Sequence, residues 1–168
     1  MARIEITVPA ADAASAALRR AAARLEDARP LYDEIGRSLT VSTQQRFATE
    51  RAPDGSPWPS SIRALVSGGK TLTDSARLRN SITWEPASDR VAVGTNVIYA
   101  AVHQFGAVIR PVRAAALRFR IPGIGWVTRK SVTIPRRAFL GLDQDDQTMI
   151  AQIAVQFVLT SLQETAGV

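Results

Sequence analysis

The chain has 168 residues, with 21 Lys or Arg against 15 Asp or Glu, for a formal net charge of +6. It has no cysteine and a single histidine, His103, which excludes disulfide frameworks, thiolate zinc sites and thiol nucleophiles and leaves few donors for other metal chemistry. The length suits one domain over residues 1–168, and neither a signal-peptide core nor a membrane-spanning apolar run is present, so a soluble product of the cytoplasm without membrane contact is expected.

Residues Arg3 to Val8 alternate polar and apolar as a short strand does, and Pro9 ends the pattern. Asp12 then caps a predicted helix in which Leu18, Ala21, Ala22 and Leu25 recur at helical spacing. Pro30 suits the first turn of a second helix reaching about Arg51, with Leu31, Ile35, Leu39 and Phe47 as its buried positions. Three prolines and a glycine between Ala52 and Ser61 force a turn around Trp58, which we read as an aromatic anchor. Asp74 is placed to cap a short helix through Leu78, and Ile82 to Glu85 and Arg90 to Thr95 form a predicted hairpin.

Further strands are expected at Ala115 to Ile121 and Trp126 to Ile134. In the first, Leu117, Phe119 and Ile121 face one way and Arg118 and Arg120 the other. Gly123-Ile124-Gly125-Trp126 is a turn between them, since it lacks the third glycine of a dinucleotide fingerprint. Asp143, Asp145 and Asp146 start a terminal helix whose apolar stripe is Ile150, Ile153, Ala154, Phe157, Val158 and Leu162. The expected architecture is α+β, with N-terminal helices and a C-terminal helix packed on a central antiparallel sheet.

Charge is distributed unevenly along the chain. From Arg90 to Leu142 there is no acid, but there are Arg90, Arg110, Arg113, Arg118, Arg120, Arg129, Lys130, Arg136 and Arg137. Removing these nine leaves 12 bases against 15 acids, so one half is basic and the other mildly acidic. Such a stretch fits an acidic protein surface, a merely solvated face or a nucleic-acid backbone, in that order. Ser67-Gly68-Gly69-Lys70-Thr71 resembles the end of a phosphate-binding loop, but Ala64 stands where its first glycine belongs, so a surface loop is expected. His103 lies in Tyr99-Ala100-Ala101-Val102-His103-Gln104-Phe105-Gly106 with no Ser or carboxylate beside it. A hydrogen-bonded structural histidine is the simpler reading than a general base.

Four pieces of sequence stand in order: Arg46-Phe47 with Ala52-Pro53-Asp54-Gly55-Ser56-Pro57-Trp58, then Leu72 to Ile82, then Val91-Ala92-Val93-Gly94 with Tyr99 to Gly106, and finally Ile134-Pro135-Arg136-Arg137-Ala138-Phe139-Leu140-Gly141-Leu142. Together they resemble the bacteriophage virion morphogenesis family, the tail-completion proteins of Mu-like and related tailed phages. Ser75-Ala76, in place of the usual Thr-Gly pair, and Ala138 after Arg137 depart from the family pattern.

The resemblance implies a structural virion protein, not an enzyme and without cofactor or metal, that completes the tail and joins it to the head. It implies a homo-oligomeric ring, a hexamer before a dodecamer, in the tail or neck of the virion. Tail tube, terminator and head connector proteins would be its neighbours, with non-specific contact to genomic DNA in the lumen. A DNA-binding protein using residues 90–142 is the alternative. Arg110, Arg113, Arg118, Arg120, Arg129, Lys130, Arg136 and Arg137 are the expected docking or lumen surface. Trp58, Tyr99, His103, Phe105 and Gly106 are expected as structural residues of the core motifs.

Overall fold

The computed structural model describes Arg19, Ala22, Ala23 and residues 27–121 and 123–163. The strand expected at Arg3 to Val8 and most of the helix expected from Asp12 to Leu25 lie outside the described residues. The first long element is helix α1, Arg29–Thr49, with Pro30 in its first turn, where a missing N–H leaves no intrahelical bond unmade. Ile35 and Phe47 are buried as the spacing requires, Leu31 and Leu39 are half-buried, and Gly36, Thr40, Thr43 and Arg46 complete the inward face. The helix stops where Glu50 turns into the left-handed region at φ 55°. The carboxylate of Glu50 accepts the N–H of Thr71 at 2.6 Å, which holds that strained residue in place.

After α1 come α2 (Ile62–Ser67), α3 (Arg77–Asn80), the hairpin β1 (Thr83–Pro86) and β2 (Val91–Gly94), α4 (Ala100–Phe105), β3 (Ala107–Ile109), β4 (Leu117–Ile121), β5 (Gly125–Arg129), β6 (Val132–Ile134) and α5 (Gln144–Gln163). The α+β class is as expected, but the sheet is not central. The described strands form three separate antiparallel pairs, β1–β2, β3–β6 and β4–β5. The hub is α1, which packs against β1, β2, α3 and α5. Gly36 makes this possible, because a Cβ there would lie 2.4 Å from Trp84 Cδ1 and 2.7 Å from Val91 Cγ2. The helix therefore rests directly on the hairpin, and the indole N–H of Trp84 reaches Asp33 at 2.9 Å.

The remaining strands are nested. β3 pairs with β6 through Ala107↔Ile134, and inside that pair β4 runs against β5 through Leu117↔Arg129. Together they make one interrupted ribbon, in which residues 110–116 on one side answer only Lys130 and Ser131 on the other. The expected single strand from Trp126 to Ile134 is split there into β5 and β6. Asp74 does not cap a helix: α3 starts at Arg77 behind a left-handed Ala76 with no side-chain cap, and Asp74 instead faces Arg63 at 3.6 Å. The expected surface loop at Ser67 to Thr71 follows the end of α2, but Thr71 within it is fully buried.

Candidate interaction surface

The four family-like pieces converge on one core. Phe47, Ala52, Trp58, Leu78, Ile82, Val97, Ala100, Ala138 and Phe139 form a single buried cluster, with Leu72, Val93 and Leu140 packed on it. Phe47 meets the Trp58 ring edge-on at 5.4 Å and the Phe139 ring at the same distance, a geometry that aromatic quadrupoles favour. Trp58 is the anchor its turn suggests, and its indole N–H donates to the Ala138 carbonyl at 2.9 Å. The extended strap from Pro135 to Leu142 has no strand partner of its own in this stretch, so side chains satisfy its backbone. Gln104 accepts the N–H groups of Phe139 and Leu140 at 3.0 Å each and donates to the Leu140 carbonyl at 2.8 Å.

Arg46 holds the same strap from α1. Its Nη1 donates to the carbonyls of Phe139 at 3.0 Å and Gly141 at 2.7 Å, while Nη2 bonds Asp143 at 3.0 Å and Asp146. Asp143 and Asp146 in turn accept each other's backbone N–H at the start of α5, at 2.8 and 3.1 Å, which caps that helix reciprocally. Burial pushes the Asp143 carboxyl up, but the N–H of Asp146 and the Arg46 guanidinium outweigh it and leave the carboxyl below its ordinary range.

His103 is half-buried on α4, its carbonyl accepting the Arg137 N–H at 2.7 Å and its ring edge-on to Tyr99 at 6.0 Å. The expected hydrogen-bonded imidazole is corrected in one respect: Nδ1 is buried without a partner. Burial, and then the charge of Arg137, push its pKa below the ordinary value. Gly106 ends α4 at φ 75°, and a Cβ there would lie 3.0 Å from the Arg136 nitrogen. It is thus required both by conformation and by the close approach of the strap.

The structure divides the predicted surface residues. Arg110, Arg113, Arg118, Arg120, Arg129, Lys130 and Arg136 are exposed. Arg137 is not: it is 5 % exposed and donates to the carbonyls of Pro59 at 2.6 Å and Ser60 at 3.4 Å. It is a core strut, because the extended backbone alternates sides and Arg136 takes the outward position. Among the described residues the ion pairs involve Arg37, Arg46, Arg63 and Arg90, so none of the exposed ribbon cations meets a carboxylate.

Large apolar side chains are interleaved with these cations. Phe105 is 74 % exposed, Val112 95 % and Trp126 66 %, and Val108, Ile109 and Ile124 are exposed too. The expectation that Tyr99 to Phe105 is mostly core is therefore corrected. α4 spans only Ala100–Phe105, so Ala100 and Gln104 face the core and strap while Tyr99 and Phe105 point outward. On the β4–β5 pair, Arg118, Arg120, Trp126 and Thr128 share the exposed face, with the Arg118 guanidinium 4.9 Å over the Trp126 ring. Leu117, Phe119, Ile121 and Val127 share the other, half-buried face. The turn meets α2, since a Cβ on Gly123 would lie 2.3 Å from Val66 Cγ1.

The model of the phage virion morphogenesis family matches residues 10–158, nearly the whole chain and all four converging pieces. The chain belongs to this family. It is also similar to Mu-like prophage FluMu G protein 2 of Haemophilus influenzae, with 30 % identity over 149 residues that cover 89 % of this chain and 91 % of that protein. No solved structure matches it. For this member of the virion morphogenesis family, the shared motifs Trp58, Gln104, Gly106 and Arg137 build the core and its strap. The basic ribbon lies between the third and fourth motifs, within the residues that the family model matches. Among the described residues no group of His, Asp or Glu comes together that could hold a metal ion, and no helix is long and apolar enough to cross a membrane.

Proposed function

We propose that the chain is a non-catalytic structural protein of the virion that completes the tail and joins it to the head, acting as a homo-oligomeric ring, a hexamer in the first instance. The observation that carries this reading is the ribbon from Ala107 to Ile134, where unpaired cations and exposed apolar side chains alternate on an acid-free segment. Apolar exposure on this scale marks a protein contact, and the cations orient it against acidic neighbours such as tail-tube, terminator or connector proteins. Family membership supports the morphogenetic role.

A DNA-binding role for residues 90–142 is the second reading, favoured by the guanidinium groups that meet no carboxylate and by the Arg118–Trp126 stack. A virion lumen would bring DNA close to such a surface without specific recognition.

Electron microscopy of lysates tests the leading reading. Deleting the gene is expected to leave separate full heads and tails, and a variant with β4–β5 replaced by a short turn is expected to do the same while the purified protein still folds. Intact infectious particles from the deletion would overturn the proposal.

A further inference from the structure

We infer that the β4–β5 face of one copy docks on the uncovered face of the β1–β2 hairpin of a second copy, in a head-to-tail contact. This rests on the ring reading above and supplies the interface that reading lacks.

Each half of the contact leaves one face of a strand pair uncovered. A two-stranded sheet is marginal in water unless a face is covered. β1–β2 covers one face against α1 through Trp84 and Val91, but its other face shows only Thr83, Glu85, Ala92 and Gly94. Apart from Glu85 those side chains are small, and they border a recess of about 290 Å³ that continues to Thr95 and Asn96. Glu85 is exposed, and its carboxylate makes no hydrogen bond or ion pair among the described residues. The β4–β5 face is the converse: large and cationic, with Trp126, Arg118 and Arg120 standing out and meeting no acid.

The two faces match in size and in sign. An indole fits a floor of Ala92 and Gly94, and Arg120, directly across from Trp126, then lies beside Glu85. Within one chain neither of these strand pairs has the other as a principal packing partner, so the match is available between copies.

Charge also selects the geometry. Two ribbons meeting face to face would bring Arg118 and Arg120 against their own copies, and like charges at close range oppose such a dimer. A contact between two different patches of one chain is heterologous, and it closes into a ring when the rotation between copies allows.

The absence of cysteine makes a clean test possible. Glu85→Cys and Arg120→Cys chains, carrying tags of different length, are mixed and oxidised, with Asp54→Cys as an exposed control. A mixed cross-link between the first two, exceeding either self-link and absent with the control, is expected. In parallel, Glu85→Arg and Arg120→Glu should each weaken association by about tenfold or more in light scattering, and mixing the two reversals should restore it between unlike chains. Circular dichroism of each variant establishes that it is folded. If the wild-type chain assembles but the mixed cross-link is missing and the reversals have no effect, the ribbon docks elsewhere and the ring reading survives. If the wild-type chain neither assembles nor cross-links at any concentration reached, both readings are overturned.

Discussion

Arg46 ties three stretches of sequence together with one side chain: the end of α1, the strap at Phe139 to Gly141 and the start of α5. Its side chain is 6 % exposed and that of Asp146 only 3 %, so neither charge is solvated if the other is removed. Breaking a buried pair from one side costs about 3–5 kcal/mol, chiefly because the surviving charge stays buried. Arg46→Met is expected to lose that much in urea denaturation, and Arg46→Lys to lose an intermediate amount, since an ammonium replaces the planar fork. A loss below about 1 kcal/mol for Arg46→Met would mean that the cluster does not hold the strap. His103 gives a second prediction. Its folded pKa is depressed, so as pH falls through the ordinary value the unfolded chain takes up the proton first. The stability present above that value is then lost progressively toward the folded pKa. Arg137, Arg63, Arg77 and Asp74 surround or approach the ring, and His103 is the only histidine of the chain, so a slope just below the ordinary imidazole value of about 6.5 belongs to it. Urea midpoints should fall below this value in the wild type and stay level in His103→Gln; equal slopes in both would remove His103 as the cause.

At the scale of elements, legibility followed length and periodicity. α1 and α5 each have enough turns for an apolar stripe to repeat, although Val158 and Leu162 of the expected α5 stripe are exposed, and β1–β2 has enough alternation to read as a hairpin around Ala87 to Asp89. The outward Arg118 and Arg120 were also readable, because a strand's two-residue period leaves no choice once Leu117, Phe119 and Ile121 are apolar. Short elements were not. α2 is held by the Ser61 hydroxyl on the Ala64 N–H, while Thr71 accepts the Ser61 N–H, a contact ten residues away that no local pattern announces. The division between β5 and β6 follows from the nesting of two strand pairs, which depends on how residues 110–116 are accommodated rather than on propensity. The candidate surface was legible as a charge block, but not which of its members face water. Arg136 and Arg137 look alike in sequence, and only the path of the strap past Pro59 and Ser60 sends one outward and the other into the core. Phe105 misled in the opposite direction: its spacing from Tyr99 and Val102 is helical, yet α4 is too short to bury that face.

The whole molecule is polarised, with nine bases and no acid between Arg90 and Leu142 against 12 bases and 15 acids elsewhere. Such an arrangement orients copies of one chain over distances near the Debye length, about 10 Å at 0.1 M salt, and thereafter short-range packing has to hold them. Exposed Trp126, Ile124, Phe105 and Val112 supply apolar surface for that second stage, and salt does not screen its burial. Duplex DNA held by the same cations, its bases stacked within the helix, has no comparable second stage. Each phosphate contact releases counterions, so six to ten contacts lose about 10³ to 10⁵ in affinity between 50 and 200 mM salt. Salt titration therefore separates the two roles of the ribbon. Light scattering should show self-association weakened by no more than roughly tenfold over that range, while any gel shift of duplex DNA seen at low salt disappears. Tryptophan exchange sharpens the contrast: Trp126→Ala should lower association at every salt concentration, because the contact it removes is apolar. If DNA retention instead survives physiological salt while the oligomer dissolves, the cations serve a nucleic-acid backbone and the apolar side chains between them need another partner.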